Sequence, residues 1–145
     1  MAELETSHVF NGDIKKVFRA LGQFEKYPEF IPGVTGVKVD PAPTGSKAKC
    51  LLRTELNIVK TFYYTNEMYA EEPTKIWWTM VDSNLMKKNE GSWSLTAQGD
   101  KTHAVYKLDV TLKGFAPSMV TDQIAKANLP GMFAGFQRLI DSLEG

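Results

Sequence analysis

The last stretch of the chain, Ser118 to Leu143, sets the terms on which everything before it can fold. Its apolar residues fall at Met119, Val120, Ile124, Ala127, Met132, Phe133, Phe136, Leu139, Ile140 and Leu143. Such spacing puts them on one face of a helix. Asp122, Lys126, Gln137, Arg138, Asp141 and Glu144 take the other face, as in an amphipathic helix. Ser118 suits an N-cap, Asp122 sits in the first turn where it complements the helix dipole, and Gly145 follows the end. Pro130-Gly131 interrupts the pattern, since a proline removes an intrahelical bond and clashes with the preceding turn. The segment is therefore either one long helix bent at this point, with space opened beneath the bend, or two shorter helices joined there. In either case its apolar face needs a partner layer.

The upstream chain supplies a sheet. Leu4, Thr6, His8 and Phe10 alternate with Glu3, Glu5, Ser7 and Val9, the period of a strand. Asn11-Gly12-Asp13 makes a turn and an N-cap, and Ile14, Val17, Phe18 and Leu21 then form a helical face that Gly22 ends. A second short helical piece holds Phe24, Tyr27 and Phe30, limited by Pro28 and Pro32. After it the period is two. Strands are expected over Val34–Val39, Ala48–Leu56, Ile58–Tyr69, Ile76–Val81, Gly91–Leu95 and His103–Lys113, separated by turns rich in proline, glycine, aspartate and asparagine. Short turns make successive strands antiparallel. A twisted sheet of about seven strands curls to cover its apolar face, and the final helix is what it covers that face with. The expected fold is α+β, one domain over residues 1–145, with a curved antiparallel sheet wrapped around the C-terminal helix and two short helices after the first strand.

Composition narrows the function classes. Lysine plus arginine and aspartate plus glutamate both number 17, a balance that argues against a chain held to DNA or a membrane surface by its overall charge. Local basic groups remain at Lys15-Lys16 with Arg19 and at Lys87-Lys88, which read either as solvated faces or as phosphate contacts. A single cysteine, Cys50, excludes an internal disulfide, and two histidines, His8 and His103, do not make a conventional zinc site. No apolar run reaches the length of a membrane span and the N-terminus lacks a signal-peptide pattern, so a cytoplasmic protein is expected. Nucleophile elbows, phosphate loops and dinucleotide fingerprints are missing, and no cofactor is called for. Acid–base chemistry would need a polar group in the interior, for which Tyr63, Tyr64, Tyr106 and Glu67 are the candidates. We assign no catalytic residue.

The order of elements, with Phe24-Glu25-Lys26-Tyr27-Pro28-Glu29-Phe30-Ile31-Pro32-Gly33-Val34, Lys60-Thr61-Phe62-Tyr63-Tyr64-Thr65-Asn66 and Gly91-Ser92-Trp93-Ser94-Leu95, resembles the START-like (SRPBCC) superfamily and its helix-grip domain. More narrowly it is similar to the polyketide cyclase/dehydrase and coenzyme-Q-binding branch, over essentially the whole chain. Leu129-Pro130-Gly131 departs from that branch's usual helix. The resemblance implies a small hydrophobic ligand, such as a quinone, polyprenyl or lipid-like molecule, bound without catalysis between sheet and helix. Inward aromatics and methionines on the predicted elements would either pack a solid core or line that cavity. On the second reading the ligand-binding residues are Tyr64, Trp78, Trp93, Tyr106, Met119, Met132, Phe133 and Phe136, with His8 offering an imidazole and Phe30 and Phe115 flanking the entrance. The branch also includes ribosome association toxins and cyclases, so the alternatives are a ribosome or membrane-enzyme contact through Lys15, Lys16 and Arg19, or a cyclase/dehydrase-like enzyme.

Overall fold

A computed structural model of the chain describes residues 2–31, 33–57, 61–113 and 129–143. Strand β1 (Ala2–Asn11) leads into helix α1 (Ile14–Leu21), a 3-10 turn at Phe24–Lys26 and a four-residue helix α2 (Tyr27–Phe30). Strands β2 (Val34–Pro41), β3 (Cys50–Asn57), β4 (Thr61–Glu71), β5 (Lys75–Ser83), β6 (Met86–Gln98) and β7 (Lys101–Leu112) follow, and then helix α3 (Leu129–Ser142). Asp13 caps α1 as its sequence position implies: its Oδ1 accepts from the amides of Lys15 and Lys16 at 3.0 and 3.1 Å.

All strand pairs are antiparallel, and the sheet order is β1-β7-β6-β5-β4-β3-β2. The six later strands form a meander, as short turns demand. β1 alone pairs out of sequence, with β7, so α1 and α2 carry the chain from one edge of the sheet to the other.

Alternation along the strands decides which side is the core. On β3, Leu52, Thr54 and Leu56 are buried while Arg53 and Glu55 are exposed, and on β7 Ala104, Leu108, Val110 and Leu112 are buried. The ambiguous β4 resolves into an inner column, Phe62, Tyr64, Asn66 and Met68, and an outer one, Tyr63, Thr65, Glu67 and Tyr69. Of these, Asn66 and Met68 are buried. The outer aromatics find their own partners: Arg53 lies over Tyr63 at 4.7 Å, and Tyr69 stacks on Trp77 at 5.5 Å. Tyr63 and Glu67 are therefore not interior acid–base groups, because β4 turns both away from the core.

Strand β6 is longer than the Gly91–Leu95 expected from its apolar residues and begins at Met86. Lys87-Lys88-Asn89-Glu90 gives no apolar alternation, yet β7 holds it. Lys88 Nζ reaches Asp109 Oδ2 at 2.7 Å and Glu90 at 3.8 Å, so Lys88 is occupied within the sheet.

Helix α3 lies in the concave side of the sheet. It buries Met132, Gly135, Phe136 and Ile140 among Phe10, Val17, Leu21, Trp93 and Leu95. Gln137 fixes its height by closing a two-way bond with β1: the Asn11 amide donates to Oε1, and Nε2 donates to the Asn11 carbonyl, both at 2.9 Å. Gly135 is a contact the sequence pattern does not reveal. A Cβ there would overlap the Phe30 ring, so α2 can press flat against α3 only across a glycine. Pro130 and Gly131 are exposed and lie within the first residues of α3. The expected helix over 118–128, and with it the choice between a bent helix and two helices, lies outside the described residues.

Candidate functional site

The sheet's inner face and α3 do not close on each other completely. Between them is a cavity of about 160 Å3, more than ten times the space one water needs, of about 10–15 Å3. Its wall is mostly apolar. Leu52, Leu56, Met68, Trp78, Trp93, Leu108 and Val110 contribute from the sheet, Leu129, Met132 and Phe136 from α3, and Tyr27, Ile31, Gly33 and Val34 from α2, the start of β2 and the turn between them. These residues come from both packed regions of the interior, and Trp78 and Tyr106 border each of the two.

Local sequence explains why the aromatic wall stands where it does. Trp78 is directly opposite Gly91 on β6, and a Cβ on Gly91 would overlap its indole, so the glycine is the groove in which the ring lies. The indole Nε1 donates to Asn89 Oδ1 at 3.1 Å, fixing the ring's rotation. Trp93 packs on Tyr106 at 4.7 Å and on Phe136 at 5.7 Å, tying β6, β7 and α3 together at the cavity floor.

The polar groups at the wall are Thr54, Asn66, Asn89 and the phenols Tyr27, Tyr64 and Tyr106. Tyr27 donates to the Leu21 carbonyl at 2.5 Å. Burial raises the pKa of all three phenols above the usual tyrosine range. Neighbouring phenols add to the effect on Tyr27 and Tyr106, while Thr54 opposes it at Tyr64. They are neutral donors and acceptors at any physiological pH.

Of the residues expected to bind ligand, Tyr64, Trp78, Trp93, Tyr106, Met132 and Phe136 line the cavity. His8, Phe30 and Phe133 are placed beside it. His8 stacks on Phe133 at 4.7 Å and meets Phe10 edge-on at 4.6 Å, forming a clamp between β1 and α3. Burial lowers its affinity for a proton below the ordinary histidine value. Phe30 packs on Phe136 at 5.0 Å, behind the wall. Phe115 and Met119 lie outside the described residues. Sequence reasoning passed over Thr54, Asn66 and Asn89, which are buried and polar. The signal for Asn66 was available, since it shares the parity of Tyr64 and Met68 on β4.

Other chemistry is sparse. Cys50 stands in the inner column of β3, outside the cavity, with its thiol made less acidic by burial. Among the described residues no group of three His, Cys, Asp or Glu side chains could hold a metal ion. No described helix is long and apolar enough to cross a membrane.

Comparison with known structures places the fold. A START superfamily protein from Mycobacterium smegmatis superposes with a TM-score of 0.81 at 18% identity, covering 98% of this chain and 99% of that one. A protein from Thermus thermophilus gives a TM-score of 0.81 at 13% identity, with 99% and 100% covered. The Zhui aromatase/cyclase from Streptomyces sp. R1128 gives 0.72 at 11% identity, with 96% and 90% covered. At such identities these likenesses establish the START-like helix-grip fold alone. No curated protein matches the chain. Residues 11–137 match the model of the family described as polyketide cyclase / dehydrase and lipid transport, and the chain belongs to that family.

Proposed function

We propose that this protein binds and carries a small hydrophobic molecule of quinone, polyprenyl or lipid-like character in the cavity between sheet and α3, without catalysing its conversion. The observation that carries this reading is the cavity: about 160 Å3 bounded mostly by aromatic, leucine and methionine side chains. A void of that kind forfeits the dispersion contacts that a filled core would have, and an apolar ligand restores them. Methionine walls at Met68 and Met132 adapt to flexible tails.

The family description spans both catalysis and lipid transport, and the wall chemistry favours the second. Among the described lining residues the only ionisable side chains are the three phenols, and burial moves them away from neutrality. General acid–base catalysis works best with a group that titrates near the working pH.

The test is a titration of the purified protein with a ubiquinone analogue and a long-chain fatty alcohol, monitored through quenching of Trp78 and Trp93. Saturable quenching at one site per chain is expected. Leu56→Trp, which fills the cavity from its wall, should abolish that quenching while circular dichroism stays native. Quenching that survives the filled cavity would place the ligand elsewhere and end this reading.

A further inference from the structure

The cavity is not uniformly oily. Asn66 lies on its wall, 4% exposed, and its Oδ1 is buried with no hydrogen-bond partner. A buried amide oxygen left alone is costly and rare in native proteins. The other polar atoms at the wall differ in this respect, since Asn89 Oδ1 is taken by the Trp78 indole at 3.1 Å and the Tyr27 hydroxyl donates to Leu21 at 2.5 Å.

Ordinary strand alternation aims Asn66 inward. The irregularity in the β4–β5 pairing skips Val81 on β5, so the parity of β4 runs unbroken through Asn66. Asn66 stands between Tyr64 and Met68 in the inner column of β4, and its partner across β3 is Leu52. None of these neighbours gives the oxygen a hydrogen bond, and a donor that enters the cavity would satisfy it.

We infer that the ligand carries a hydrogen-bond donor, a hydroxyl or an N–H on an otherwise apolar ring or chain, and that this donor is received by Asn66 Oδ1. This rests on the cavity reading above and sharpens it. A hydroquinone, phenol or alcohol fits the site, whereas a quinone offers only carbonyl acceptors and leaves the Asn66 oxygen unpaired. The protein then distinguishes the hydroxylated form of its ligand from the carbonyl or ether form.

Isothermal titration of the full chain with 1-naphthol, 1-methoxynaphthalene and 1,4-naphthoquinone tests this. The naphthol should bind about five- to ten-fold more tightly than the ether, which has the same ring but no donor. The quinone should be weaker than the naphthol by a similar factor. In Asn66→Leu the naphthol-to-ether ratio should fall to near one while both still bind. Equal affinities in the wild-type protein, or a preference for the ether or the quinone, would overturn the inference and leave the cavity reading standing. If none of the three binds, the cavity reading fails as well. Should Asn66→Leu not fold, the wild-type ratios decide the matter alone.

Discussion

Replacing Gly91 by alanine should damage this protein far more than one methyl group ordinarily does. In a regular strand the change would stabilise, by about 0.5–1 kcal/mol, because glycine loses more freedom on folding. Here the new Cβ would sit 2.6 Å from Trp78 Cε2 and 2.7 Å from the Lys107 carbonyl oxygen, well inside van der Waals contact. The carbonyl belongs to the β6–β7 ladder and cannot retreat without breaking it. The indole can rotate only by giving up its bond to Asn89. Overpacking of this kind costs about 1–3 kcal/mol, and the lost hydrogen bond about 1 kcal/mol more. After subtracting the backbone gain, the net loss is about 1–3.5 kcal/mol. For a chain of this size that lowers Tm by roughly 3–11 °C, and the urea midpoint by about 0.5–1.7 M at a slope of about 2 kcal/mol/M. Urea titration followed by circular dichroism and by tryptophan emission gives both numbers, and the emission also reports whether Trp78 has left its groove. A stability within about 0.5 kcal/mol of wild type, with an unshifted emission spectrum, would refute the close approach of Trp78 to Gly91.

Three further outcomes are expected. The folded state holds His8 neutral through burial, with its proton affinity below the ordinary value of 6.5. The unfolded chain therefore takes up the proton first, and stability falls as pH drops below about 6.5; urea midpoints of His8→Phe, which keeps the stack on Phe133, should lack this component. The buried phenols work in the opposite direction of pH. Tyr27, Tyr64 and Tyr106 ionise above the ordinary tyrosine value of 10.0, so their contribution is complete below about pH 10 and is lost as pH rises beyond it; a spectrophotometric titration should show three phenols that ionise only with unfolding. Phe136 is 1% exposed at the meeting of Tyr27, Phe30 and Trp93, and Phe136→Ala should cost about 3–5 kcal/mol in a urea titration.

How much of this was legible in the sequence depends on which force set each feature. Period-two alternation carried β3 and β7, because one face of each strand is wet and the other dry. The Asn11-Gly12-Asp13 cap was legible because its chemistry is local. The first half of β6 was not: Lys87 to Glu90 owe their strand to pairing with β7 and to the Lys88–Asp109 bond, and neither leaves a hydrophobic trace. The aromatics of β4 and β5 were half legible. Inward Tyr64 and Trp78 follow from parity, but an outer column of Tyr63, Tyr69 and Trp77, sheltered by Arg53 and Lys75, hides the alternation that would have announced it. Glycines that admit a neighbour's ring, Gly91 to Trp78 and Gly135 to Phe30, are matters of tertiary distance, which no local pattern encodes. So is the unpaired oxygen of Asn66. An asparagine in a strand usually signals a solvated face; parity with Tyr64 and Met68 turns this one inward, but parity does not tell that its oxygen goes unpaired.

On the proposed function, an apolar ligand occupies the space between sheet and helix. The most direct measurement is native mass spectrometry of the protein purified from its own cells, followed by organic extraction of whatever it carries. A stoichiometric apolar adduct is expected, one that extraction releases and that Leu56→Trp does not retain. Protein that emerges empty, and that also takes up no added quinone, alcohol or lipid, would contradict it.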